Sequence, residues 1–219
     1  MQFSMMAIAI GVGVPLRGPS AALGREMMNA VALAVEDHSS GSPKIELVIV
    51  DDEGVTKIGA QRARELCARG DVVGVVGHYQ SDVTISASEI YAEHGMAMIT
   101  LVASNPVVTE RRLPHVFRFT NRDDRTAAAI ASHLCHVLGR RRGVIVATSS
   151  LYGRSMAGEF ARAFSRAGGS IAQRFDIGEG ERALDRVVAS ELRQVAEIDV
   201  DGHSTMEESG QATSKSNDA

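Results

Sequence analysis

A doubly wound parallel α/β sheet is the fold class predicted for this 219-residue chain, on three observations. Apolar runs of strand length alternate with amphipathic stretches of helix length. Those runs are continuously apolar, which marks strands covered on both faces. A strand followed each time by a helix sets successive strands parallel, with helices on both sides of the sheet.

The order along the chain follows from these patterns. "AIAIGVGVPL" (7–16) is the first strand, ending in the turn "RGPSAALG". A helix follows, with Leu23, Met27, Val31 and Val35 on one face. "KIELVIV" is the second strand and "GAQRARELCARG" its helix, with Gly70 as the expected C-cap. "DVVGVVG" leads into the helix "SDVTISASEIYAEHG", again closed by glycine, and "MAMITLVAS" is the fourth strand. The rhythm loosens after Asn105-Pro106, and "HVFRFT" is a further strand that leaves the first unit. Asp123 or Asp124 is then expected to cap a helix carrying Ile130, Leu134, Val137 and Leu138. "RRGVIVATSS" is a strand, followed by a helix with Tyr152, Met156, Phe160 and Phe164 at every fourth position. "SIAQRFDIG" and "ERALDRVVASELRQV" continue as strand and helix. The organisation predicted is an N-terminal α/β lobe over 1–120 and a partial second lobe over 121–198. The tail at 199–219 is polar, lacks periodicity and is expected to be disordered.

Composition narrows the function. A net charge of −4 argues against a dedicated nucleic-acid or anionic-membrane partner. Trp is absent and aromatics make up 4%, so a stacking platform for bases is not expected. No apolar run reaches the roughly 18 residues of a membrane span, so no membrane insertion is expected. The apolar N-terminus lacks a basic n-region and an A-x-A cleavage site, and reads as a first strand. Cys67 and Cys135 fall in helical patterns and are expected to be small buried hydrophobes.

Motifs of catalysis fail on spacing. "GVGVPL" has Leu16 where a dinucleotide fingerprint needs its third glycine. There is no P-loop, no GxSxG elbow and no HExxH. "VIVDDEG" resembles the acidic opening of a receiver domain, but no later strand ends in the phosphoacceptor aspartate. His133 and His136 lie at i+3 without a carboxylate to complete a metal site, and the arginines of 111–142 read as a solvated face. Neither a cofactor nor a metal is called for.

What remains is the polar seam "GHYQSDVT" at the end of the third strand, with "LVASNP" at the end of the fourth. Ser, Asp and Thr there satisfy orphan N–H groups as caps, or the same N–H groups and hydroxyls receive a small anion. In open α/β sheets ligands bind beyond the carboxyl ends of the strands, so Ser81 and Ser104 are expected to converge at one edge of the sheet. The carbonyl of Val102 would then face a positive amino group.

In the order and spacing of "GPSAALGREMMNAVALAVED", "IELVIVDDEG", "VVGVVGHYQSDVTISASEIYAEHGMAMIT", "ASNPVVTERRLPHVFRFTNRDD" and "LYGRSMAGEFARAFSRAG", the chain resembles the type I periplasmic solute-binding proteins. The nearest branch is the Leu/Ile/Val-binding one of ABC transporters. The resemblance runs from residue 8 to about 195. It implies two doubly wound lobes closing on a small amino-acid-like ligand, without catalysis, for delivery to an ABC transporter permease. It also implies a periplasmic location and a C-terminally truncated second lobe. By the same resemblance Ser81 and Ser104 bind the ligand carboxylate, while the backbone of Val102 and Ala103 and the Ser104 hydroxyl address its ammonium. Tyr79 and Gln80 line the wall of the first lobe, and Tyr152 faces the cleft from the second. Asp82, next to Ser81, is a departure that competes for the same N–H groups. The alternatives are a cytosolic amide or amino-acid sensor acting on a partner protein and, behind it, a Rossmann-like enzyme.

Overall fold

The computed structural model describes residues 8–38 and 44–178 of the chain. Two parallel sheets organise it. The first has the order β2-β1-β3-β4-β5, from β1 (Ile8–Val14), β2 (Ile45–Asp51), β3 (Val72–Gly77), β4 (Ala97–Thr100) and β5 (Val116–Arg118). The second pairs β6 (Arg142–Thr148) with β7 (Ser170–Ile177), also parallel. Helices α1 (Ala21–His38), α2 (Thr56–Cys67) and α3 (Ser81–Glu93) link the first four strands, and the single turn α4 (Val107–Glu110) leads to β5. Helix α5 (Asp123–Ser132) continues into a π-helical turn, His133–Val137, and α6 (Leu151–Arg166) joins β6 to β7. The expected helix at 181–195 and the tail at 199–219 lie outside the described residues.

The first sheet is covered on both faces, as its apolar strands require. On one side α2 and α3 enclose Leu66, Val75, Tyr91, Met98 and Val108, and on the other α1 brings Met27 against Val12 and Val14. In the second unit Phe164 is buried with Ala131, Cys135 and Ala163. The cysteines are both free, Cys135 buried and Cys67 half-buried.

Several local expectations change. Helix α2 is capped by Ala68, and Gly70 lies beyond it without a left-handed backbone. Gly95, at φ 65°, does follow the end of α3 in the left-handed conformation that glycine tolerates. Arg122 is the N-cap of α5, and Asp123 is already its first helical residue. The buried faces of the helices are narrower and smaller than read. In α1 it is Gly24 and Met27 that are buried, while Leu23 is exposed. In α5 and the turn after it Ala127, Ala131 and Cys135 are buried, whereas Ile130, Val137 and Leu138 are exposed.

A polar chain is embedded in the first core. His78, directly after β3, reaches across β1, and its Nδ1 lies 2.6 Å from Asp52 Oδ2 at the end of β2. Its Nε2 lies 3.1 Å from the Tyr91 hydroxyl on α3. All three side chains are fully buried. Burial pushes the Tyr91 phenol far above its ordinary pKa, so it stays an O–H and donates to Nε2. Nδ1–H donates in turn to Asp52, whose other oxygen accepts from Gly54 N at 2.9 Å. Gly13 on β1 makes room for this crossing, because a Cβ there would sit 2.5 Å from the imidazole.

Two substitutions are expected to expose this dependence in chemical denaturation. Tyr91→Phe leaves Nε2 of His78 buried without a partner, at a cost of about 1–3 kcal/mol. Gly13→Ala forces the ring aside at a cost of about 1–3 kcal/mol or more. If both variants unfold at the parent's denaturant midpoint, the chain of hydrogen bonds carries no stability.

Candidate functional site

Every functional side chain of the first lobe comes from a loop at the carboxyl end of a strand. The β1–α1 loop brings Pro19 and Ser20, and the β2–α2 loop brings Glu53 and Gly54. The β3–α3 seam brings Tyr79, Gln80, Ser81 and Asp82. Val102, Ala103 and Ser104 follow β4, and Thr120, Asn121, Asp123 and Thr126 come from the crossover after β5 and the start of α5. Facing them across a cleft are Ser150, Leu151, Tyr152 and Met156 at the start of α6. Together they enclose a cavity of about 840 Å³, within the range of sites for small solutes. All seven residues singled out in the sequence line it: Tyr79, Gln80, Ser81, Val102, Ala103, Ser104 and Tyr152.

The seam after β3 is open for binding. Ser81 begins α3, the residue before it makes no side-chain cap, and the first backbone acceptor bond of the helix is Thr84 N to Gln80 O at 2.9 Å. Asp82 is drawn towards α2, where Thr56 Oγ1 donates to its Oδ2 at 3.2 Å. The first-turn N–H groups beside Ser81 thus lack a side-chain cap and carry the positive end of the helix dipole. Gln80 donates from Nε2 to Ser20 Oγ at 3.1 Å, while its Oε1 is buried without a hydrogen bond.

The strand end after β4 is tightly held. Ala103 N donates to Thr100 Oγ1 at 3.1 Å, and Arg118 Nη1 donates to the carbonyls of Ala103 and Asn105 at 3.4 and 2.7 Å. Burial, then the nearby Arg122 charge, lowers the Arg118 pKa from its ordinary value. Ser104 is fixed through its carbonyl, which accepts from Asp123 N at 3.0 Å.

Asp123 is the residue that sequence reasoning assigned to capping and that the structure places in the site. It is 3% exposed, donates its backbone N–H to the Ser104 carbonyl, and keeps Oδ2 buried without a hydrogen-bond partner. Burial raises its carboxyl above the ordinary aspartate range, against the opposing pull of the nearby Ser104 hydroxyl and the Arg118 charge. Ser20, Glu53, Thr120, Asn121 and Thr126 were also missed. The available signal was their position just after strands of a parallel sheet.

In the second lobe Ser150 caps α6, accepting from Gly153 N at 3.0 Å. Gly153 is required there, because a Cβ would lie 2.2 Å from the Thr148 carbonyl. Tyr152 is half-exposed to the cleft. Burial raises the Tyr79 phenol above its ordinary pKa. Among the described residues no group of three or more His, Cys, Asp or Glu side chains is placed to hold a metal ion. No described helix is long and apolar enough to cross a membrane.

Comparison with known proteins identifies relatives of this fold. An amino acid binding protein of Pseudomonas aeruginosa is 29% identical over 195 residues, covering 87% of this chain and 52% of the relative. A Leu/Ile/Val-binding protein homologue of Brucella abortus is 30% identical over 190 residues, covering 85% and 51%. An ABC transporter substrate-binding protein of Desulfitobacterium hafniense, solved in complex with Leu, superposes with a TM-score of 0.70 at 28% identity. That match covers 84% of this chain and 54% of the other. The chain thus spans about half the length of the curated relatives it matches. The family model described as periplasmic binding protein matches residues 7–201, nearly all of the two sheets and their connections, and the chain belongs to that family.

Proposed function

We propose that this chain forms the capturing cleft of a solute-binding protein that takes up a small amino-acid-like solute for an ABC transporter. The observation that carries the reading is a cavity with two poles. At one pole the uncapped start of α3 and the Ser81 hydroxyl favour a carboxylate. At the other, the orphan Oδ2 of Asp123 favours an ammonium. Ser104 follows β4, between the strands that lead to the two poles, and its hydroxyl is placed to serve either end of the ligand. Ala103 contributes through its carbonyl, held in place by Arg118. Such a site offers hydrogen bonds to both ends of a zwitterion, which suits a binding role.

The relatives supply the rest of the reading. Homologues named Leu/Ile/Val-binding proteins support an amino-acid-like solute, a permease as partner and a periplasmic location. Closure of the Tyr152 side over the first lobe would bury the ligand, as in other hinged binding proteins.

Calorimetric titration with a panel of free amino acids tests the proposal. For the amino acid that binds, Ser81→Ala and Asp123→Asn are each expected to lower affinity about 10- to 150-fold, the range for hydrogen bonds to charged groups. Unchanged affinity in both variants, or no binding by the parent chain, refutes the two-pole site.

The raised Asp123 carboxyl adds a pH dependence. Only the ionised form holds an ammonium, so affinity is expected to fall as pH drops through that raised pKa and to persist above it. Stability of the empty protein runs the other way. A folded pKa above the unfolded one contributes stability that is present below the unfolded value and lost as pH rises through the folded one. At neutral pH, Asp123→Asn is therefore expected to raise the melting temperature of the empty protein while it weakens binding. A lowered melting temperature would mean the carboxylate is structural.

A further inference from the structure

Building on that reading, we infer that the bound solute has a side chain ending in nitrogen, an amide or a cationic group with N–H donors, rather than the aliphatic side chain of leucine or valine. The strand order supplies the first step. The two poles of the zwitterion follow β3 and β5, through Ser81 and Asp123. The rest of the cavity floor lies over β1 and β2, on the opposite side of β3 from β4 and β5, with neighbouring strands about 4.8 Å apart. A ligand head held between Ser81 and Asp123 leaves this region for its side chain.

Its lining sets polar groups beside Pro19 and Tyr79. Ser20 follows β1, Glu53 and Gly54 follow β2, and Gln80 reaches over to Ser20. Gln80 Oε1 is buried there with no donor, and such an atom costs free energy unless a ligand supplies one. Glu53 stands at the rim, paired with the exposed Arg17 at 3.0 Å. Among the described residues, three carboxylates line the cavity, Glu53, Asp82 and Asp123, and no Lys, Arg or His does. A zwitterion's ammonium answers one of them. Glu53 and Asp82 are already engaged by Arg17 and Thr56, so the preference for an N–H donor rests on Gln80 Oε1, while a wall with carboxylates and no cation opposes an acidic side chain.

Isothermal titration of the whole chain with leucine, glutamine, arginine and glutamate at matched ionic strength tests this. Glutamine or arginine is expected to bind at least tenfold more tightly than leucine, with glutamate weakest. The comparison of glutamine with arginine tells an amide from a cation. Gln80→Leu should reduce that preference over leucine at least tenfold. Glu53→Gln removes an exposed pair, worth little to folding, and should weaken arginine while sparing glutamine if the group is a cation. Equal or tighter binding of leucine, or of glutamate, overturns the inference and leaves the two-pole site standing. Failure of all four amino acids to bind overturns both.

Discussion

The first lobe depends on one contact that crosses a strand. β2 and β3 both pair with β1, so their ends are neighbours only through it. The imidazole of His78 closes that gap over Gly13 to reach Asp52, and on its far side it takes the Tyr91 hydroxyl of α3. The same residue's carbonyl accepts from Thr84 Oγ1 at 3.3 Å and Thr100 Oγ1 at 3.1 Å. Thr100 then accepts from Ala103 N, at the lip of the cavity. One buried residue therefore sets the ends of β2, β3 and β4 and the start of α3 relative to one another. Since the cavity-lining residues hang from those ends, their placement is inherited from a buried core.

The acidic run Asp51-Asp52-Glu53 shows the same division of labour. Asp51 Oδ1 accepts from Leu16 N at 2.8 Å and Glu53 N at 2.9 Å, tying the β1–α1 loop to the β2–α2 loop. Asp52 turns inward to His78, and Glu53 turns to the cavity rim. Three adjacent carboxylates thus serve loop pairing, core bridging and the cavity. A receiver-like reading of "VIVDDEG" fails for this structural reason as well as for the missing phosphoacceptor.

The strands were legible from their apolar runs, clearest in β1 and β3, and among the described residues seven strands lie where strands were read, although β7 is mostly exposed and carries Gln, Arg and Asp. Helix faces were less legible. Where a helix packs closely, the inward positions are small, such as Gly24 against Pro15 or Ala127, Ala131 and Cys135 on α5. Reading by apolar size therefore selected Leu23, Ile130, Val137 and Leu138, which face outward. The site followed from a topological rule, that ligands gather beyond strand carboxyl ends, and so its first-lobe residues could be named. Asp123 was hidden because an aspartate before an apolar stretch looks like a cap. Only the tertiary fold shows that the crossover after β5 turns it under Ser104. Asp52 and His78 stayed unlinked because strand order across β1 is not written in the spacing between them.

Communication between the two lobes runs through an equally economical residue. Asn105, 5% exposed, donates from Nδ2 to Ser155 Oγ of α6 at 3.1 Å. Its Oδ1 accepts from Val107 N at 2.9 Å, starting α4, and its carbonyl accepts from Arg118 of β5. Arg118 holds the Ala103 carbonyl as well. A displacement of α6 is therefore transmitted through Asn105 to the strand end that carries Ala103 and Ser104. Tyr152 sits three residues before Ser155 on the same helix, so the ring that faces the cleft and the hydroxyl that touches the first lobe move as one body. α6, with Tyr152 on it, and the strand end that carries Ala103 and Ser104 are thus tied together through one buried side chain.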